Sequence, residues 1–159
     1  AKEAKLAVNA TRYGPEGGRG VGLARAQQYG AEFNEYLDWQ SNNVVVIAQI
    51  EHIDALENLK EIIKTDGIDG VIIGPYDLSC SMGIPGEFDR QDFKETMTII
   101  LKTCQDLNFP CGIHVVEPNL NEFRTVVNNG YKFIAYSVDI RMLDFMSRKA
   151  VEKLQEIKG

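Results

Sequence analysis

Nowhere in this 159-residue chain do apolar residues run unbroken for ten positions. A helix that crosses a bilayer needs about 20, and no charged segment leads into an apolar stretch as in a secretion signal. Neither a membrane span nor a signal peptide is therefore expected, and the chain is assigned to the cytoplasm. Cysteine is scarce as well. Cys80, Cys104 and Cys111 are odd in number and none forms a C-x-x-C pair, which argues against a disulfide framework or a thiolate zinc site. They read as reduced thiols. Positive charge is the third shortage: 17 Lys and Arg stand against 23 Asp and Glu, a net charge of -6 with both signs interspersed. Without a basic stripe to neutralise phosphates, nucleic acid is not an expected partner.

What remains is 44% hydrophobic and 25% charged, the make-up of an ordinary globular domain able to bury a core, so residues 1–159 are read as a single domain. Ala1 to Ala10 reads as an uncapped helix. The turn residues Gly14, Pro15, Gly17, Gly18, Gly20 and Gly22 then break the chain. Ala24 to Asn43 is polar and is expected to hold one or two short surface helices. From there the pattern alternates. A strand over 44–50 is followed by a helix over 53–64, with Leu56, Leu59 and Ile63 on one face, and by a strand over 70–74. A loop over 80–89 leads to a helix near 90–106, a strand from Cys111 to Val116, and a helix marked by Leu120, Phe123 and Val127 and closed at Asn129-Gly130. Phe133 to Val138 reads as the last strand, and Leu143, Met146, Ala150, Leu154 and Ile157 stripe the final helix.

Four short apolar strands joined by helical crossovers fit a small open α/β sheet or half of an eight-stranded barrel. Two details favour the half barrel. The chain starts inside a helix with no initiator methionine, and four βα units fill the share that half of a roughly 250-residue barrel would need.

The layout of the first two strands carries chemistry. Val44 to Glu51 is an apolar run ending in a carboxylate, and Val71 to Ser79 repeats that plan with Asp77. Parallel neighbours end at the same sheet edge, where such folds hold ligands, so the two acids converge in outline on a metal site. Taken singly, an acid at a strand end is more often a solvated loop residue or a helix cap. Gly14 to Gly22 lacks both the strand–GxGxxG–helix order and the lysine of a phosphate cradle, and reads as a connector. Arg19, beside it, is a candidate for the pocket rim and equally for a helix–loop ion pair. Of the two histidines, His52 follows Glu51 and should point away from that face, as a cap or surface residue. His114 lies inside the third strand, where it either faces the barrel and reaches substrate or is a satisfied core histidine.

Four segments carry a resemblance. Arg12-Tyr13-Gly14-Pro15-Glu16-Gly17-Gly18-Arg19-Gly20-Val21-Gly22, then Gln49-Ile50-Glu51, then Gly74-Pro75-Tyr76-Asp77-Leu78-Ser79 with Met82-Gly83, and finally Ala135-Tyr136-Ser137-Val138-Asp139 resemble, in order, the HpcH/HpaI aldolase family. The resemblance implies a (β/α)8 TIM barrel of the phosphoenolpyruvate/pyruvate type, of which this chain is about four C-terminal βα units. About the first hundred residues of a roughly 250-residue family member would precede it.

The resemblance further implies a class II pyruvate aldolase that cleaves or forms 2-oxo-3-deoxy or 4-hydroxy-2-oxo acids, giving pyruvate and an aldehyde. Glu51 and Asp77 would hold a divalent metal, Mg2+, Mn2+ or Co2+, leaving open positions for a chelating 2-oxo acid. The amides of Tyr76 and Asp77 would grip the substrate carboxylate, and the amide of Gln49, on the same strand face as Glu51, would donate to substrate or to a ligand oxygen. Ser79 to Asp89 is the natural specificity loop. The family's histidine–aspartate base and its assisting arginine come from early strands absent here, so activity of this chain alone is in question. Family members form hexamers, often by exchanging the last helix, with which the stripe Leu143 to Ile157 is compatible. A lyase acting on a citryl or malyl thioester, and a non-catalytic half barrel that binds metal, are the alternatives.

Overall fold

Four strands in the order β1-β2-β3-β4 make one parallel sheet in the computed structural model, which describes residues 1–158. They are β1 (Ile47–Ile50), β2 (Gly70–Ile73), β3 (Cys111–Val115) and β4 (Phe133–Tyr136). Sequence order equals spatial order, so there is no point at which the winding reverses. A doubly wound sheet requires such a reversal; a barrel wall does not. With right-handed crossovers, every connecting helix falls on the same side.

Ahead of the sheet stand α1 (Lys2–Thr11), a short 3-10 segment (Arg25–Gly30) and α2 (Phe33–Asn43), the last two filling the span expected to hold surface helices. The crossovers are α3 (Asp54–Glu57) with α4 (Leu59–Ile63), α5 (Pro75–Ser81) with α6 (Gln91–Asp106), and α7 (Leu120–Asn129); α8 (Asp139–Lys158) closes the chain. Among the described residues no helix is long and apolar enough to cross a membrane.

The sheet has two unlike faces. Ile50, Val71, Ile73, Cys111, Ile113 and Val115 alternate onto the helix-covered face and are almost fully buried with Leu59, Ile62, Phe93, Ile100 and Cys104. Each such side chain contributes about 1.5–3 kcal/mol by leaving water. The other face carries Ile47, Gln49, Ile72, Gly112, His114, Phe133 and Ala135, and Ile47 is 42% exposed. A methyl group on Gly112 would come within 2.2 Å of the Phe133 ring and one on Gly70 within 3.4 Å, so the ring lies across both glycines.

Several elements differ from the sequence expectation. The first strand begins at Ile47 rather than at residue 44, because Val46 is engaged by Asp69: its amide donates to Asp69 Oδ2 at 2.7 Å and its carbonyl accepts from the Asp69 amide at 2.8 Å. The single helix over 53–64 breaks at Asn58, whose side-chain amide takes the Asp54 carbonyl at 2.9 Å, as asparagine does when it competes with the helix ladder. The last strand stops at Tyr136, since Ser137 turns to φ 57. The segment after β2 is not an extended strand tip followed by loop. It is helix α5, with Pro75 at its first position and Asp77 in its first turn. At the far end of α7, Gly130 supplies the expected left-handed stop at φ 92.

Candidate active site at the C-terminal edge of the sheet

Glu51 follows the last residue of β1, and Gly74 follows the last residue of β2. The Gly74 amide donates to the Ile50 carbonyl at 3.1 Å, which locks these two strand ends side by side. Gln49 lies two residues before Glu51 on the same strand face and donates from Nε2 to Glu51 Oε2 at 2.6 Å. Its side chain passes over Gly74: a methyl group there would meet Gln49 Nε2 at 3.0 Å and Glu51 Oε2 at 3.6 Å. Gly74 is buried beneath these two side chains, and a larger residue there would push the Gln49 amide off the Glu51 carboxylate. Both Gln49 and Glu51 are exposed and line a cavity of about 610 Å³ shared with Ala4 and Ala7 of α1.

Asp77 reaches the same edge by another route. It occupies the first turn of α5, where a carboxylate is favoured by the unpaired amides of the helix start. The first intrahelical bond runs from the Leu78 amide to the Gly74 carbonyl at 3.0 Å, so the amides of Tyr76 and Asp77 carry no intrahelical partner. The Tyr76 ring itself is turned aside and meets Phe88 edge-on at 4.9 Å, with Phe88 packed on Phe93 at 5.3 Å. That pair fastens the loop 82–90 against α5. Ser79, fully buried, tightens it further by accepting the Gly86 amide at 2.9 Å and donating to the Tyr76 carbonyl at 2.7 Å.

The remaining candidates are placed as follows. His52 is exposed; its Nδ1 accepts the Asp54 amide at 3.2 Å, so it caps α3. Arg19 lies outside the residues lining the 610 Å³ cavity and stacks on Tyr13 at 4.7 Å instead of forming an ion pair. His114 is half-buried on the open sheet face and its Nε2 stands 3.3 Å from the Ser137 carbonyl oxygen. Ser137 itself is buried, left-handed and, among the described residues, carries the one buried side-chain hydroxyl without a partner. The local sequence gives no sign of it, because nothing about Tyr136-Ser137-Val138 demands a positive φ.

Does this donor set suit a divalent ion? Among the described residues no cluster of three or more His, Cys, Asp or Glu could hold one. Two exposed carboxylates, one just past β1 and one in the first turn of α5, do suit a hard cation that keeps most of its positions for water and a chelating ligand. The donors fit an open site and not a closed structural one.

Comparison with known proteins bears on the family and the fold. Residues 1–144 match the family HpcH/HpaI aldolase/citrate lyase. The chain is similar to a hydroxypyruvate/pyruvate aldolase of Cupriavidus necator, 36% identical over 158 residues, covering 98% of this chain and 58% of the relative. It is also similar to a 2-keto-3-deoxy-L-rhamnonate aldolase of Klebsiella pneumoniae, 37% identical over 141 residues, covering 87% of this chain and 52% of the relative. Among solved structures, an HpcH/HpaI aldolase/citrate lyase family protein from Burkholderia cenocepacia superposes with a TM-score of 0.87 at 28% identity, covering 97% of this chain and 61% of the other. An HpcH/HpaI aldolase from Desulfitobacterium hafniense gives a TM-score of 0.78 at 25% identity, covering 94% and 57%. The chain therefore spans a little over half the length of the relatives it matches, and its sheet is part of a (β/α)8 barrel.

Proposed function

Because the chain belongs to the HpcH/HpaI aldolase/citrate lyase family, we propose that it supplies the metal-holding half of a class II pyruvate aldolase. The reaction is cleavage of a 2-oxo-3-deoxy or 4-hydroxy-2-oxo acid to pyruvate and an aldehyde, or its reverse. The observation that carries this reading is the pairing of the two strand ends, with Gly74 hydrogen-bonded to Ile50, which sets Glu51 and the α5 turn bearing Asp77 on one edge of the sheet.

Glu51 and Asp77 would hold the divalent ion, Mg2+ or Mn2+, and when bound it supplies a Lewis acid for the keto oxygen of the 2-oxo acid. Gln49 keeps one oxygen of Glu51 fixed through its 2.6 Å hydrogen bond, so the carboxylate enters coordination already oriented. The free amides of Tyr76 and Asp77 point the positive end of α5 toward the substrate carboxylate. Gly74 lets the Gln49 amide lie flat across the end of β2, where a side chain would displace it. Breaking the C3–C4 bond leaves negative charge on the pyruvate half, and steadying that charge is the main electrostatic demand of the step. Arg19, stacked on Tyr13, would contribute at most from the rim. We place the working enzyme in the cytoplasm as a homo-oligomer, the apolar residues Leu143, Met146, Leu154 and Ile157 of α8 being 50% or more exposed here.

Solvent deuterium exchange into C3 of pyruvate tests the reading. The full-length protein carrying this chain should catalyse exchange with Mg2+ or Mn2+ and lose it with chelator; exchange no faster than the metal-only blank would overturn it.

A further inference from the structure

His114 is the one imidazole on the open face of the sheet. Extending the strand register by one residue beyond Ile50↔Ile73 and Ile73↔Ile113 puts Glu51, Gly74 and His114 in a single row across β1, β2 and β3. Ala135, paired with His114, continues that row on β4. Neighbouring strands lie about 4.8 Å apart, so Glu51 and His114 flank Gly74 with roughly 10 Å between their backbones. A small ligand held in that gap, against the Gln49 amide that covers Gly74, lies between an acid and an imidazole.

The proton on that imidazole is fixed by its neighbour. A carbonyl oxygen can only accept, so the contact with the Ser137 carbonyl requires the hydrogen on Nε2. In the neutral ring this leaves a lone pair on Nδ1, and among the described residues nothing donates to it. Its register neighbours on the open face are Gly74 and Ala135, with Ile72, Gly112 and Phe133 one step back, and none of their side chains carries a hydrogen-bond donor. This atom is open to solvent, so it accepts from water until a ligand that displaces the water offers a donor in its place.

What can satisfy it is set by the chemistry of the substrate. Pyruvate itself carries a carboxylate, a keto oxygen and a methyl group, none of which donates a hydrogen bond. The donors of a hydroxy-oxo acid are its hydroxyls. Given the aldolase reading above, on which this step rests, we propose that His114 is a substrate contact that accepts, at Nδ1, a hydroxyl of the substrate and so favours hydroxylated aldol partners over plain ones. That hydroxyl has two sources: the aldehyde half, as in glycolaldehyde, or C3 of a hydroxypyruvate donor.

The full-length protein, its His114→Leu variant and its His114→Asn variant decide the matter. Asparagine keeps an acceptor oxygen near the place of Nδ1, whereas leucine keeps bulk and loses it. Aldol addition is measured for pyruvate with glycolaldehyde, pyruvate with acetaldehyde, and hydroxypyruvate with acetaldehyde. Leucine should lower kcat/KM about ten-fold, the worth of one hydrogen bond, for whichever pair bears the recognised hydroxyl. The hydroxyl-free pair should change less than two-fold, and asparagine should recover most of the loss. The glycolaldehyde and hydroxypyruvate arms tell the two sources apart. An equal loss on all three pairs, or none, overturns the assignment. Deuterium exchange into pyruvate C3 is read in the same samples: its absence in the wild type defeats the aldolase reading, while its retention in a leucine variant with unchanged selectivity defeats only the role given to His114.

Discussion

The hydroxyl of Ser81, in the last turn of α5, accepts the amide proton of Ile53 at 2.9 Å. It also donates to the Leu78 carbonyl at 2.7 Å. Ile53 is two residues past Glu51, and α5 carries Asp77, so one serine ties together the two segments from which the acids project. Neither acid touches it.

Replacing Ser81 with alanine leaves the Ile53 amide without that acceptor and should cost about 1 kcal/mol of stability. If the tie sets the spacing of the carboxylates, Mn2+ affinity in a titration should fall several-fold. Ser81→Thr, which keeps the hydroxyl, should restore it. Unchanged Mn2+ affinity in the alanine variant would show that the spacing is held elsewhere.

Glu51→Ala and Asp77→Ala each remove one of the two carboxylates of the proposed site, beside which no third ligand gathers among the described residues. Each should eliminate metal-dependent deuterium exchange into pyruvate while leaving the unfolding midpoint within about 0.5 kcal/mol of the parent, as for other exposed positions. Exchange persisting in both variants would remove these residues from metal binding.

Gly112 has no room for a methyl group, which would lie 2.2 Å from Cε2 of Phe133. Gly112→Ala should destabilise the fold by about 1–3 kcal/mol, the usual range for overpacking. Adding Phe133→Leu to it should return part of the loss. Urea midpoints of the single and double variants measure this, and a neutral single variant would refute the packing of the ring over the glycine.

Ser137 combines a φ of 57 with a buried hydroxyl that has no partner. Ser137→Gly removes both penalties at the expense of extra freedom in the unfolded chain. The net expectation is stabilisation by about 1 kcal/mol. The contacts of the Ser137 amide with Val115 and of its carbonyl with His114 are main-chain and should persist. A thermal melt that drops would show that the hydroxyl is satisfied in solution.

Acidity in the first turn of α7 provides a further check through Glu122. Burial pushes its carboxyl pKa up, and the nearby Glu117 adds to the rise. A carboxyl raised on folding binds protons more tightly when folded, so this group opposes stability once pH exceeds its unfolded value and relieves that cost as pH falls. Glu122→Gln should therefore flatten the stability profile between pH 4 and pH 7, by a few tenths of a kcal/mol given its partial exposure.

The pattern of apolar residues was enough to read the alternation of strands and helices, because a buried parallel strand is a short apolar run and a crossover helix shows one apolar stripe. It was enough, too, to put Glu51 just past a strand end and Gln49 on the same face, since strand alternation is a local rule, whereas Asp77 falls in the first turn of α5 and not at a strand tip. Helix α5 was legible in hindsight through Pro75 at its first position, but a seven-residue helix is too short to show periodicity. Asn58 and Asp69 changed element boundaries through side-chain bonds to backbone that no propensity encodes. The row Glu51, Gly74 and His114, the Ser81 tie, the Phe133 ring over Gly112 and the orphaned hydroxyl of Ser137 came only from the assembled sheet. Each depends on register between segments far apart in the chain, and register is fixed by packing across strands rather than by any residue's neighbours in sequence.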